Sequence, residues 1–88
     1  MTIMKKEYIT QGTCSKKITI NYDETTGTIE SVDFLGGCPG NTLGVCTLVK
    51  GKSISEVRAL LGGIDCRNRG TSCPDQLARA LAEIEAGV

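Results

Sequence analysis

The chain has five cysteines, and their positions suggest more chemistry than any other residue type in the sequence. Cys73 opens a predicted helix together with Pro74, which suits the first turn because it has no amide hydrogen to leave unpaired. Ser72 or Cys73 can serve as the N-cap, and Asp75 favours the positive end of the helix dipole. A cysteine at this position lies near unpaired backbone N–H groups and that dipole, and both favour the thiolate over the thiol.

Cys38 lies in a similar setting, because two glycines precede it and Pro39 follows it before another predicted helix. Two such sulfurs at two helix starts suggest a shared site. Four of the five cysteines fall in predicted loops, and loops at the ends of several elements can converge on one point. We therefore predict one metal site with the ligands Cys14, Cys38, Cys66 and Cys73.

The metal is expected to be zinc or an iron–sulfur cluster, with zinc as the first expectation. The chain has no histidine, so its ligands must be sulfur or oxygen, and four thiolates suit either tetrahedral zinc or iron. Lys16, Arg67 and Arg69 lie near the cysteines in sequence and could offset the thiolate charge. No Cys-x-x-Cys pair is present, and two other interpretations stay open, namely a redox pair of thiols and unliganded cysteines.

Cys46 is different because it falls in the middle of a predicted helix, on its apolar stripe. Cysteine is among the residue types most often buried in proteins. We therefore predict that Cys46 fills the core and binds no metal.

Length and composition indicate one small domain over residues 1–88. Only three residues are aromatic, so the core is thin and a metal or a partner subunit would help to stabilise it. The formal net charge is zero, which argues against binding to nucleic acid or to an anionic membrane. No apolar run approaches the length of about 20 residues that spans a bilayer, and we expect a cytoplasmic protein.

Alternating side chains predict the strands. Residues 16–22 and 28–35 form a hairpin around a turn at 23–27, and residues 8–10 form a short strand. Residues 1–7 show no clear pattern and are expected to fray or to form an edge. The alternation in 28–35 is imperfect, which indicates either two partly covered faces or a β-bulge.

Three helices follow the strands. The first starts near residue 41 or 42 and ends near residue 50, the second follows a capping box at residues 53–56, and the third covers about 74–86. The buried stripe of the second helix is predicted to be Ile54, Val57, Leu60 and Leu61. Strands followed by helices indicate an α+β fold, an antiparallel sheet with about three helices on one face.

Residues 71–75 read Thr-Ser-Cys-Pro-Asp, and on this motif the chain resembles the small four-cysteine TSCPD domain proteins. The Gly-Gly-Cys-Pro-Gly-Asn stretch at residues 36–41 and the other cysteine loops extend the resemblance over nearly the whole chain. The resemblance implies that the family cysteines are Cys14, Cys38, Cys66 and Cys73, with Cys46 outside the pattern. Larger relatives carry a similar domain near the C-terminus of ribonucleotide reductases, which implies an accessory role in such an enzyme. An 88-residue chain has no room for that reaction alone, so we do not expect an independent enzyme.

The chain is also similar to the U-type iron–sulfur cluster scaffold. There too a hairpin precedes a Gly-Cys pair, a helix, a segment like Gly51-Lys52-Ser53 and a cysteine that opens the last helix. The aspartate and histidine typical of that scaffold are Lys16 and Ser72 here, and Cys66 would close the site. The resemblance implies a similar fold and leaves a cluster scaffold or carrier as an alternative function.

Three kinds of partner and role stay open for this sequence. A ribonucleotide reductase or another cytosolic protein could bind the domain, and a second copy could pair with it through the sheet edge. A thiol redox module that supports ribonucleoside-diphosphate reductase is a further alternative function.

Overall fold

A computed structural model of the chain describes residues 2–12, 15–36, 39–64 and 70–87. Three strands come first and three helices follow, which confirms the predicted α+β class. The elements are β1 (Ile3–Ile9), β2 (Ser15–Asp23), β3 (Thr28–Gly36), α1 (Pro39–Val49), α2 (Ile54–Leu61) and α3 (Cys73–Ala86).

The strands form one antiparallel sheet in the order β1-β2-β3. Ile18 in the middle strand lies opposite Tyr8 of β1 and Phe34 of β3. The register between β2 and β3 shifts between Asn21 and Tyr22. The predicted bulge is therefore present, and it lets residues on both sides of the shift face the same core.

β1 is longer than the sequence pattern predicts. The structure places a strand over Ile3–Ile9, whereas the prediction gave a strand only to residues 8–10. The alternative that residues 1–7 form an edge is confirmed for the described part of that segment, because β1 pairs with β2 alone. Its exposed side chains have little reason to alternate, so backbone pairing with β2 defines this strand.

The core lies between one face of the sheet and the helices. Ile18 and Ile20 of β2 and Leu77 and Leu81 of α3 are fully buried. Every strand and helix adds side chains to this cluster or packs against it. The helices thus cover one face of the sheet, as predicted.

The helix boundaries agree with the local signals in the sequence, with one shift. Ser53 is the N-cap of α2 and accepts from the backbone N–H of Glu56 at 3.1 Å, as the capping box predicts. α1 begins at Pro39, two or three residues earlier than expected. Proline is thus the first residue of α1, where its missing N–H costs nothing.

Two of the predicted apolar stripes are only partly buried. Leu60 of α2 is 64% exposed, so its predicted burial is wrong, and Leu61 is half-buried. In α1, Leu43 and Leu48 are also exposed. A short helix on a three-stranded sheet buries only a narrow strip of its surface, and these leucines lie outside that strip. In the described ranges, no helix is both long and apolar enough to cross a membrane.

Candidate functional site

The structure describes two of the five cysteines. Cys73 and Cys46 lie in helices, whereas three of the predicted metal ligands lie outside the described residues, namely Cys14, Cys38 and Cys66. Among the residues that are described, no three cysteine or carboxylate side chains form a metal-binding group. The described part of the candidate site therefore consists of Cys73 and the residues that flank the other three cysteines.

Cys73 is the first residue of α3 and is 7% exposed. Ser72 is the N-cap, and its hydroxyl accepts from the backbone N–H of Asp75 at 3.1 Å. The same hydroxyl donates to the carbonyl of Ile64 at 2.6 Å. Of the two candidate caps, the serine is therefore the cap, and the cysteine begins the helix.

Asp75 does more than favour the helix dipole. Its carboxylate is buried and accepts from the backbone N–H of Gly63 at 2.7 Å and from the hydroxyl of Thr71 at 2.5 Å. The Arg79 guanidinium lies 3.0 Å from the same carboxylate. Burial opposes ionisation of Asp75, but the hydrogen bonds from Thr71 and Gly63 and the charge of Arg79 outweigh it and lower the pKa of Asp75.

Gln76 ties the start of α3 to the end of β1. Its side chain is 1% exposed, and its amide group donates to the hydroxyl of Thr71 at 2.8 Å. Its carbonyl oxygen accepts from the backbone N–H of Gln11 at 3.1 Å. Gln11 lies three residues before Cys14, so the α3 helix binds the loop that carries this cysteine.

Gly12 approaches Thr71 closely. It has a φ of +77°, and a Cβ atom at this position would lie 3.1 Å from Cγ2 of Thr71. Glycine is therefore favoured here for two reasons, its left-handed backbone and the short approach to a side chain. The 11–12 segment and the Thr71–Asp75 motif are in direct contact.

The loops that carry Cys14 and Cys38 also lie beside each other at their described ends. The backbone N–H of Thr10 bonds to the carbonyl of Lys16 at 3.2 Å and closes the hairpin loop between β1 and β2. Ser15, which follows Cys14, lies opposite Gly36 in the β2–β3 register. Gly36 is two residues before Cys38.

Cys46 lies in a cleft between α1 and β3 that Asp33 and Gly36 also line. It is half-buried and packs against the core, in agreement with the predicted filling role. Burial and the nearby charge of Asp33 both raise the pKa of the Cys46 thiol. The neutral thiol is thus favoured at Cys46.

Sequence reasoning missed the roles of Thr71 and Gln76. Thr71 bonds to Asp75 and Gln76 at the same helix start, whereas Gln76 also bonds to Gln11, 65 residues away. No local pattern indicates that a threonine and a glutamine at a helix start will be buried. The one available signal was the Thr-Ser-Cys-Pro-Asp motif itself. In the structure, Thr71, Ser72 and Asp75 hold the neighbouring segments around Cys73.

Comparisons with known proteins agree with this reading of the motif. No curated protein and no solved structure matches the chain. The family profile described as the TSCPD domain matches residues 2–85, which is nearly the whole chain. The chain therefore belongs to the TSCPD domain family.

Proposed function

We propose that Cys14, Cys38, Cys66 and Cys73 bind one metal centre, with zinc as the first candidate. On this proposal the chain is a small metal-binding accessory domain related to the C-terminal module of ribonucleotide reductases. One observation carries the proposal. The described residues that flank Cys14 and Cys66 are bonded to the first turn of α3, and Gly36, two residues before Cys38, pairs in the sheet with Ser15, the residue after Cys14.

The Cys66 loop is anchored at its two ends. At the start, Gly63 donates to Asp75 and the carbonyl of Ile64 accepts from Ser72. At the other end the loop runs directly into Thr71, which is buried and bonded to Asp75. A loop held in this way begins and ends beside the helix turn that carries the last cysteine.

The Cys14 loop is anchored to the same region, and the Cys38 loop adjoins it in the sheet. Gln11 is bonded to Gln76, and Ser15 lies opposite Gly36 in the sheet. Consecutive Cα atoms are about 3.8 Å apart, so a cysteine two residues from an anchor has its Cα within about 8 Å of it. Chain connectivity therefore allows the four sulfurs to approach one point.

The donor set fits zinc. Four thiolates form closed tetrahedral sites with Zn–S distances of about 2.3 Å, and such sites contribute folding free energy. Cys73 is nearly buried at a helix start, which suits a structural ligand that must exclude water. The thin aliphatic core gives this domain a reason to depend on such a site.

The test is metal analysis of protein purified without oxygen and without added metal. We expect about one zinc ion per chain, because four thiolates complete one tetrahedral site. Serine at position 14, 38, 66 or 73 should abolish stoichiometric zinc. The matched control is Cys46→Ser, which removes the half-buried thiol in the α1–β3 cleft and should leave the metal content unchanged.

Each other result has a clear meaning. Visible absorbance together with bound iron and sulfide would identify the metal centre as an iron–sulfur cluster and not zinc. That result would favour a cluster scaffold or carrier. A protein without metal, in which two cysteines titrate near neutral pH, would favour the thiol redox module. Metal loss in Cys46→Ser alone would overturn the ligand set.

The link to ribonucleotide reductase rests on the family and needs its own experiment. We expect the metal-loaded domain to bind a reductase from the same cell, measured by sedimentation of the mixture. If the two proteins sediment separately at all concentrations, the accessory role is wrong, whereas the proposed metal site is not affected by that result.

A further inference from the structure

The outer edge of β1 offers backbone groups for a further strand. Thr10 N–H bonds to the carbonyl of Lys16, and the carbonyl of Thr2 accepts from the N–H of Glu24. Backbone groups of even-numbered residues in this segment therefore point towards β2. The backbone groups of the odd-numbered residues point away from β2, and no segment of the described chain pairs with them. These residues are Ile3, Lys5, Glu7 and Ile9.

The β1 sequence is self-complementary when it is read against an antiparallel copy of itself centred on Lys6. Ile3 then lies opposite Ile9 of the second copy, and Lys5 lies opposite Glu7. Each of these two residue pairs occurs twice in the dimer, because the arrangement has two-fold symmetry. These are opposite-charge and apolar cross-strand pairs, which stabilise antiparallel strands.

We propose that two copies of this chain associate through β1 in this register and form one continuous six-stranded antiparallel sheet. The outward-directed N–H and C=O groups of Ile3, Lys5, Glu7 and Ile9 would bond across the two-fold axis. The side chains of these four residues lie on the open face of the sheet, and the helices of both copies would cover the other face. The inference is independent of the proposed metal site.

The neighbouring registers are unfavourable. Only shifts by two residues keep the outward-directed groups in hydrogen-bonding positions. A shift in one direction places Lys5 opposite Lys5, and a shift in the other places Glu7 opposite Glu7. Both would set like charges directly opposite each other, which is destabilising.

The covered face is compatible with the same register. Met4 would lie opposite Tyr8 of the other copy, an apolar pair of exposed and half-buried side chains. Lys6 would lie opposite its own copy at the axis. Its ammonium group is 2.8 Å from the carboxylate of Glu83, so each of the two charges has a counter-charge within its own chain.

The exposed apolar side chains are the second reason for this pairing. Ile3 is 49% exposed and Ile9 is 67% exposed, both on a strand with an open edge. Edges of this kind tend to pair with another chain unless charge or shape prevents it. Here the two Lys5–Glu7 pairs and the two Ile3–Ile9 pairs favour one register over its neighbours, in which these pairs are lost.

Charge reversal tests the register. Lys5→Glu gives a chain with glutamate at both positions 5 and 7, and Glu7→Lys gives a chain with lysine at both. Each homodimer would then contain like-charge pairs, and we expect its dissociation constant to rise at least about tenfold. A one-to-one mixture of the two variants has only opposite-charge pairs and should dimerise again.

The measurement is sedimentation equilibrium of the full chain as purified, over a range of concentrations. Two controls on other exposed sites carry the same charge changes, Lys50→Glu and Glu30→Lys, and should dimerise like the natural chain. Circular dichroism checks that every variant is folded. Because Lys5 and Glu7 are exposed and form only surface ion pairs within one chain, their reversal should leave the fold intact.

A second measurement needs no variant. Amide exchange of the natural chain should slow at Ile3, Lys5, Glu7 and Ile9 as concentration rises. A chain that stays monomeric at every concentration would overturn the proposal. So would a dimer that both charge reversals leave unchanged, or variants that remain monomeric when mixed.

Discussion

The hydroxyl of Thr71 lies 2.5 Å from Oδ2 of Asp75, and both side chains are buried. This bond joins two positions of the motif that gives the family its name, on either side of Cys73. The carboxylate also binds the N–H of Gly63, and the hydroxyl also binds Gln76. The motif and Gln76 thus hold the segments that lead to Cys66 and Cys14 beside Cys73.

Replacing Asp75 by asparagine should strongly destabilise the fold. The new amide group would point a donor at Thr71 or Gly63, both of which already donate to this side chain. We expect a loss of about 2–3 kcal/mol in the free energy of unfolding, the range for hydrogen bonds to a charged group. Urea unfolding followed by circular dichroism measures it.

The matched control is Arg79→Gln, which removes the half-exposed partner of the same carboxylate. Because the Arg79 side chain is about half exposed, solvent screens its charge, and we expect a smaller loss, on the order of 1 kcal/mol. If both variants lose the same stability, the buried hydrogen bonds of Asp75 are less important than we infer.

Acid should weaken the fold partly through Asp75. The pKa of this carboxyl is lowered in the folded chain, so its contribution is fully present above the ordinary aspartate pKa of about 3.9. The contribution is lost as pH falls below that value and through the lower folded pKa. Unfolding free energies measured against pH should therefore fall more steeply for the natural chain than for Asp75→Asn. If unfolding free energy depends on pH in the same way for both proteins, this prediction is wrong. All other titrating groups are shared by the two proteins, so their contributions cancel when one curve is subtracted from the other.

The Gln76–Gln11 bond should be visible in amide exchange. Gln76→Leu keeps the buried volume roughly but removes the acceptor for the Gln11 N–H. We expect faster exchange at Gln11 and a loss of about 1–2 kcal/mol in the free energy of unfolding. Gln11→Ala is the control, since the bond uses the backbone of Gln11 and the substitution leaves it intact. Slow exchange at position 11 in Gln76→Leu would show that another group protects it.

The approach of Gly12 to Thr71 can be tested with a pair of glycine substitutions. Gly12→Ala and Gly27→Ala both place alanine at positive φ, but only position 12 has a neighbour near the new methyl group. We expect Gly12→Ala to cost about 1 kcal/mol more in unfolding free energy, the lower end of the range for overpacking.

Thr71→Ser supplies the second half of that experiment. Serine removes Cγ2 and keeps the hydroxyl that binds Asp75. In the Thr71→Ser background, the extra cost of Gly12→Ala should disappear. An unchanged cost would assign the effect to backbone strain alone.

Metal removal should unfold the domain. Chelation, or serine in place of Cys73, is expected to abolish the thermal unfolding transition, because structural zinc sites supply on the order of 10–16 kcal/mol in small finger peptides. Circular dichroism during heating measures it, and Cys46→Ser should keep the transition. A metal-free chain that retains its transition would exclude a structural role for the metal.

Local signals in the sequence determined the elements that depend on neighbouring residues. The alternation around the turn at residues 23–27 predicted the β2–β3 hairpin. Ser53 and Ser72 cap helices where the sequence indicates, because a cap bonds to an N–H only three residues away. The family could also be read from five consecutive residues.

Only the tertiary structure decided the features that depend on distant partners. β1 extends over Ile3–Ile9 because β2 supplies its hydrogen bonds, and Leu60 is exposed because no element covers it in the described chain. Asp75 bonds to Gly63, 12 residues away, and Gln76 bonds to Gln11, 65 residues away. A sequence pattern describes which side chains share a face of one element, whereas burial and hydrogen bonding depend on what packs against that face.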